Sequence, residues 1–392
     1  MKPNHRIASI DIFRALTMFL MIFVNDLWTL RLIPDWLGHA AAREDRLGLA
    51  DVVFPAFLFI VGLSIPFAIA NRRKKGSSDL STFFHIIQRS FALIVMGLFM
   101  VNFENINSDL LPFSKFYWEI LMAFAIFLIW NNYQTNKVLG KIPTWVMEIL
   151  GILIFVFLAV IYRGGTVDSP SWMETHWWGI LGLIGWAYLL NALIYLVMGP
   201  RVLLSALLLI LFYLLNIQEF TDFAGLGGIR IIVGASNYTL VMSGVFASVL
   251  YIRMRERDKH HLFLAILTLL AVIFIAYAFA VRPYWGISKI RATPSWTAIC
   301  AGISFGFYGL LYLIADIYHK TQWAQIIGPA GRSTLTCYLV PYLYYPIMAL
   351  IGIRLPMYLR EGYVGIFKSL LFALLIILIT GVLERLKIRL KV

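Results

Sequence analysis

What most constrains this 392-residue chain is the recurrence of apolar runs about twenty residues long. A helix of about twenty residues crosses the hydrocarbon core of a bilayer. Inside that core every backbone N–H and C=O must be paired within its own segment, which leaves the helix as the form for each run. Spans are expected near residues 8–30, 51–70, 83–101, 117–131, 143–162, 178–198, 202–217, 239–252, 262–281, 296–318, 333–351 and 364–383. That is twelve, or ten to twelve because the runs near 117–131, 202–217 and 239–252 are short or interrupted. The expected fold class is all-α: a polytopic transmembrane helical bundle, with residues 1–392 forming a single integral membrane domain. Composition points the same way, since 61% of residues are hydrophobic and 14% charged, against about a quarter charged in soluble domains.

Charge placement orients the bundle. Lys2, Arg6, the run Arg72-Arg73-Lys74-Lys75, Lys137, Lys141, Arg201, Arg253, Arg255, Arg257, Lys320, Arg385, Lys387, Arg389 and Lys391 all fall between alternate spans. The positive-inside rule makes that face cytoplasmic, with both termini on it. The loops at 31–50, 102–116, 163–177, 218–238, 282–295 and 352–363 then face away. A net charge of +13 dispersed in this way lacks the single basic face and interleaved aromatics of a nucleic-acid binder. The apolar run after the basic N-terminus has no small-residue cleavage site, so it is expected to be a retained helix rather than a signal peptide. Cys300 and Cys337 have no metal or redox spacing and are expected to be packed residues. The outer loops are rich in aromatics and turn formers: Trp172, Trp177, Trp178, Tyr284, Trp285, Asp222, Gly225, Gly227 and Gly228. They suit either an interfacial belt or platforms for a sugar ring.

Ionisable residues within spans are costly and normally face a protein interior or a water-filled site. The first span holds Asp11, Arg14, Asn25 and Asp26. Asp11 and Arg14 are spaced to pair on one helix face, and Asn25 lies close to three turns beyond Arg14, on the same face. This stripe would line a cavity, or else be a structural ion pair plus an interfacial amide. His39 lies in the first outer loop and carries the one side-chain type that exchanges protons near neutrality. Asp51 opens the second span, as a helix-start acid or as the partner of an imidazole. His5, His260, His261 and His319 in inner loops, His85 at a span edge and His176 in an outer loop have weaker claims. No HExxH, GxSxG, Walker or dinucleotide pattern occurs.

Taken in order, these residues resemble a known family. The segments Arg6-Ile-Ala-Ser-Ile-Asp11-Ile-Phe-Arg14-Ala, Met21-Ile-Phe-Val-Asn25, His39-Ala40 and Ala50-Asp51-Val-Val-Phe54-Pro55, continuing to Gly62-Leu-Ser64, are similar to the catalytic domain of heparan-α-glucosaminide N-acetyltransferases and their bacterial relatives. Arg89-Ser90-Phe with Gly97 and Asn102 resembles that family's third catalytic span. Lys289-Ile-Arg-Ala-Thr293-Pro-Ser295-Trp resembles its K-x-L-W-S-x-S-Y stretch, and Gly331-Arg-Ser333-Thr-Leu-Thr-Cys-Tyr338 its G-x-N-S-x-x-x-Y. The best-matched blocks are 6–102 and 239–392. Three features depart from the pattern. Arg43-Glu44-Asp45-Arg46-Leu-Gly48 replaces the usual W-x-G-x-T approach to the aspartate, Ser333 stands for the usual Asn, and the luminal N-terminal domain of lysosomal members is expected to be absent.

The resemblance implies an enzyme that moves an acetyl group from cytoplasmic acetyl-CoA to an amino sugar or glycan on the far side of the membrane. It implies catalytic roles for His39, Asn25 and Asp51: general base, oxyanion donor and imidazole orienter. The expected contacts to the acyl donor are Arg14, Asp11, Arg89, Lys289 and Ser295, and no metal is expected. The expected partners are acetyl-CoA, a sugar acceptor other than heparan, membrane lipid and, as an open option, a second copy of the chain in a homodimer. The expected location is a bacterial cytoplasmic membrane, with the His39 loop facing the periplasm. Two other classes stay open on the residues alone. A twelve-span permease for sugars or other solutes would suit the topology, and in a membrane scaffold the polar groups would only hold helices together.

Overall fold

The computed structural model of the protein describes residues 7–133, 143–221 and 232–391. Lys2, His5, Arg6, Lys137, Lys141, Asp222, Gly225, Gly227 and Gly228 lie outside the described residues. The chain is helical nearly throughout. In order the helices are α1 (Ala8–Asp26), α2 (Ala50–Lys74), α3 (Asp79–Glu104), α4 (Lys115–Trp130), α5 (Thr144–Ile161), α6 (Ile180–Met198), α7 (Val202–Gln218), α8 (Ala235–Arg255), α9 (His260–Trp285), α10 (Pro294–Tyr312), α11 (Gly328–Arg332), α12 (Thr334–Leu339), α13 (Pro341–Ile351) and α14 (Gly362–Arg385). Strand structure among the described residues amounts to a hairpin of two-residue strands, β1 (Gly164–Gly165) and β2 (Pro170–Ser171).

Among the described residues, ten helical stretches are long and apolar enough to cross a membrane. Two of the expected spans fall short of that. α4 has 16 residues and α7 has 17, roughly 25 Å at 1.5 Å per residue against a core of about 30 Å. The expected 83–101 span is longer than its apolar run, because Ser78 accepts from the N–H of Ser81 and starts α3 at Asp79. The expected 333–351 span runs as α12 and α13, joined at Val340 before Pro341.

α8 is the central helix, with 94% of its most apolar stretch buried. It lies against α2 through paired glycines: a Cβ on Gly62 would meet the Val241 carbonyl oxygen at 1.9 Å, and one on Gly244 would meet that of Phe59 at 1.9 Å. Small residues allow such backbone approach between apolar helices, where the hydrophobic effect gives little drive.

The loops gather at two ends. At one end the 31–49 segment touches 282–288 and Arg360, and the 102–107 segment touches 163–174. At the other end Arg73 reaches the Leu196 carbonyl, the C-terminal tail crosses the end of α4, and Asp316 meets the start of α1. That last contact is a cap supplied from a distant segment. Ile7 has no capping side chain, and the Asp316 carboxylate instead accepts from the N–H groups of Ala8 and Ser9, at 2.9 and 3.1 Å.

Candidate functional site

Asp51 organises the loop that precedes it. Its Oδ1 lies 2.7 Å from His39 Nδ1, and its Oδ2 accepts from the backbone N–H groups of Ala40 and Gly48, both at 3.0 Å. The carboxylate is 1% exposed, whereas the His39 side chain is 52% exposed. Three donors converge on one buried anion, so the loop is held closed from residue 39 to residue 48. Gly48 makes this possible, since a Cβ there would sit 1.8 Å from the Gly38 carbonyl oxygen. A carboxylate accepts only, so Nδ1 carries the proton and Nε2 is left unprotonated in the neutral ring.

The loop is pinned from outside by the segment after α9. Asp45 accepts from Arg282 at 2.8 Å and from the Ile287 N–H at 2.6 Å, and Ser288 donates to the Ala42 carbonyl at 3.0 Å. Burial alone would raise the Asp45 carboxyl, but the bonds from Arg282 and Ile287 outweigh it and hold the group below the usual carboxylate range. The inserted Arg43–Gly48 stretch is thus tied into the fold through Asp45 and Arg46.

Lys289 comes from the same segment, and its Nζ lies 3.3 Å from His39 Nδ1. Burial pushes its ammonium below the usual lysine range, and the nearby Asp51 carboxylate opposes that shift. Lys289 therefore sits at the His39 end of the bundle. Ser295, in the first turn of α10, is buried with its hydroxyl unpartnered among the described residues. The next residue, Trp296, donates to the Asp51 carbonyl at 3.1 Å.

The α1 residues separate. Arg14 donates to Ser64 of α2 at 2.7 Å and lies 3.4 Å from Asp11. Asp11, with Ala8, Ile12 and Ala15, lines an open cavity of about 270 Å³ together with Thr321, Ala324, Gly328, Gly331 and Arg332. Asn25 is exposed at the far end of α1, and no hydrogen bond joins it to the His39–Asp51 pair among the described residues. Arg89 lies in α3 with its guanidinium 4.9 Å from the centre of the Tyr188 ring of α6. The structure therefore brings His39, Asp51 and Lys289 together, holds Ser295 next to the Trp296 that bonds to Asp51, and joins none of Asn25, Arg14, Asp11 and Arg89 to the His39–Asp51 pair by a hydrogen bond among the described residues.

Sequence reasoning named Asp26 among the polar residues of the first span but gave it no role of its own. Asp26 is 2% exposed and binds Lys368 and Ser369 of α14 and Tyr345 of α13, each at 2.6 Å. The available signal was an opposite pair of charges within the first and last apolar runs. Cys300 and Cys337 are free and buried, as expected.

A helical membrane protein with a half-open histidine on a buried carboxylate is the class that these features define. Residues 6–177 match the family model described as "Heparan-alpha-glucosaminide N-acetyltransferase, catalytic". Over 102 residues the chain is 36% identical to "Heparan-alpha-glucosaminide N-acetyltransferase" of Mus musculus, and over 101 residues 36% identical to that of Homo sapiens. Each match covers 25% of this chain but only 14% of the relative's length. These matches support the family that the sequence resembles, the heparan-α-glucosaminide N-acetyltransferase-like transmembrane acyltransferases. The matched region extends beyond the dense block ending at residue 102 and contains His39, Asp51, Asn25, Asp11, Arg14 and Arg89; Lys289 and Ser295 lie outside it.

Proposed function

We propose that this chain transfers an acetyl group from acetyl-CoA on the cytoplasmic side of a bacterial inner membrane to an amino sugar or glycan on the other side. The observation that carries the reading is the His39–Asp51 contact at 2.7 Å, within the region of family similarity. With Nδ1–H donating to Asp51, Nε2 is the nitrogen that takes the proton from the acceptor's amine as it attacks the thioester carbonyl. The C–N bond forms, the C–S bond breaks, and the imidazolium returns its proton to the departing thiolate. Asn25 is assigned the oxyanion donor's part from the resemblance, and it would have to meet the substrate at the exposed end of α1. Arg14 and Arg89, with Asp11 near the inner cavity, are assigned to the donor's far end, and Lys289 and Ser295 to its acyl end.

The test uses purified protein in vesicles with acetyl-CoA and a panel of amino sugars. Acceptor-dependent release of CoA that is lost in His39→Ala is the expected result. Uptake of a solute without CoA release would instead make the protein a permease.

A further inference from the structure

One group of cations has no acidic partner among the described residues. Arg72 ends α2, and His85 and Arg89 stand one turn apart on α3, on the same helix face. The C-terminal tail bonds to the end of α4 through the Lys391 N–H and the Trp130 carbonyl, at 2.8 Å. The charges of Arg72, Arg89 and Lys391 all act on the His85 ring. Neither Arg72 nor Arg89 has an acidic partner among the described residues, and the Nε of each is buried with no hydrogen bond. Arg73, by contrast, is paired with Asp79 at 2.9 Å and with the Leu196 carbonyl at 3.2 Å. Buried guanidinium N–H groups left unpaired are costly, and a planar fork suits a phosphate's oxygens. Arg89 lies ten residues into α3, about 15 Å from its start. The cations therefore form a ladder from the helix end into the bundle, and Tyr188 backs the deepest rung.

We propose that Arg72, His85, Arg89 and Lys391 form a phosphate-binding site that draws a diphosphate-bearing molecule into the bundle between α2, α3 and the C-terminal tail. The ligand chemistry is a phosphate ester or diphosphate, supplied by the acyl donor or by an anionic lipid headgroup. Choosing CoA as a probe rests on the acetyltransferase reading; inorganic pyrophosphate tests the site without it.

The full chain in detergent is titrated calorimetrically with inorganic pyrophosphate and with CoA, and its melting temperature is compared in phosphatidylcholine and phosphatidylglycerol nanodiscs. Arg72→Gln and Arg89→Gln are each expected to weaken pyrophosphate and CoA binding by roughly ten- to a hundredfold, the range for losing one hydrogen bond to a charged group. Arg89→Lys should weaken it less, and Arg73→Gln should leave it unchanged. If Arg89→Gln does not fold, Arg72→Gln at the helix end carries the test. Stabilisation by phosphatidylglycerol alone, lost in Arg72→Gln, would keep the phosphate site and give it to lipid. Neither pyrophosphate, CoA nor phosphatidylglycerol responding to these substitutions would overturn the proposal. Absence of acetyl transfer with pyrophosphate binding intact would instead remove the function and leave the site.

Discussion

Replacing Asp51 with asparagine separates the loop-holding role of this residue from its effect on the imidazole. The carboxylate accepts three bonds: one from His39 Nδ1 at 2.7 Å and two from backbone N–H groups at 3.0 Å. An asparagine offers one acceptor oxygen and one amide nitrogen. If the nitrogen faced Ala40 and Gly48, two buried N–H donors would meet another donor, at roughly 1–3 kcal/mol for each group left unpaired. The other orientation keeps both backbone bonds and turns the amide N–H toward His39 Nδ1, so that orientation wins. The imidazole must then accept at Nδ1 and carry its proton on Nε2, where it can no longer act as a base. The loop stays closed while the base is lost, and turnover falls by roughly two to four orders of magnitude, the usual worth of a general base. Acceptor-dependent CoA release gives the rate, and the melting temperature checks that the fold is kept. An Asp51→Asn enzyme with parental turnover would refute the reasoning, and so would one whose activity falls only as far as its folded fraction.

Three further outcomes follow from other parts of the structure. Gly48→Ala drives a methyl group to within 1.8 Å of the Gly38 carbonyl oxygen, so it should open the His39 loop, with proteolysis of residues 38–48 rising sharply and activity lost. Lys368→Met leaves Asp26 buried without its cation, at a cost of about 3–5 kcal/mol; the melting temperature should fall markedly, and Asp26→Asn added to it should restore part of the loss. Asp45 is ionised more readily in the fold than outside it, so it stabilises the loop above its unfolded pKa of about 3.9. That contribution is lost as pH falls through the lower folded value, and hydrogen exchange at residues 41–47 should quicken there in the parent but not in Asp45→Asn.

The helices were legible because a bilayer admits few alternatives to a run of twenty apolar residues, whereas the His39–Asp51 pair came from the family resemblance, the residues alone leaving Asp51 as either a helix-start acid or the partner of an imidazole. What escaped the sequence has physical causes. Adjacent residues on a helix point about 100° apart, so pattern alone cannot decide whether Asn25 or Asp26 turns inward; packing against α13 and α14 buries Asp26 and exposes Asn25. The cap on α1 comes from Asp316, 308 residues along the chain from Ala8, a separation at which no local signal survives. Lys289 was expected among donor contacts on resemblance alone. Its position beside His39 depends on Asp45 and Ser288 docking two outer segments together.

Sealed vesicles of one known orientation test the account most directly, with amino sugar trapped inside and acetyl-CoA supplied only outside, on the face that carries Arg72 and the C-terminal tail. Acetylated sugar should accumulate in the lumen, with one CoA released outside for each acetyl group transferred, and His39→Ala vesicles should yield none. Acetylation confined to sugar on the same side as acetyl-CoA, or an undiminished yield from His39→Ala, would contradict it.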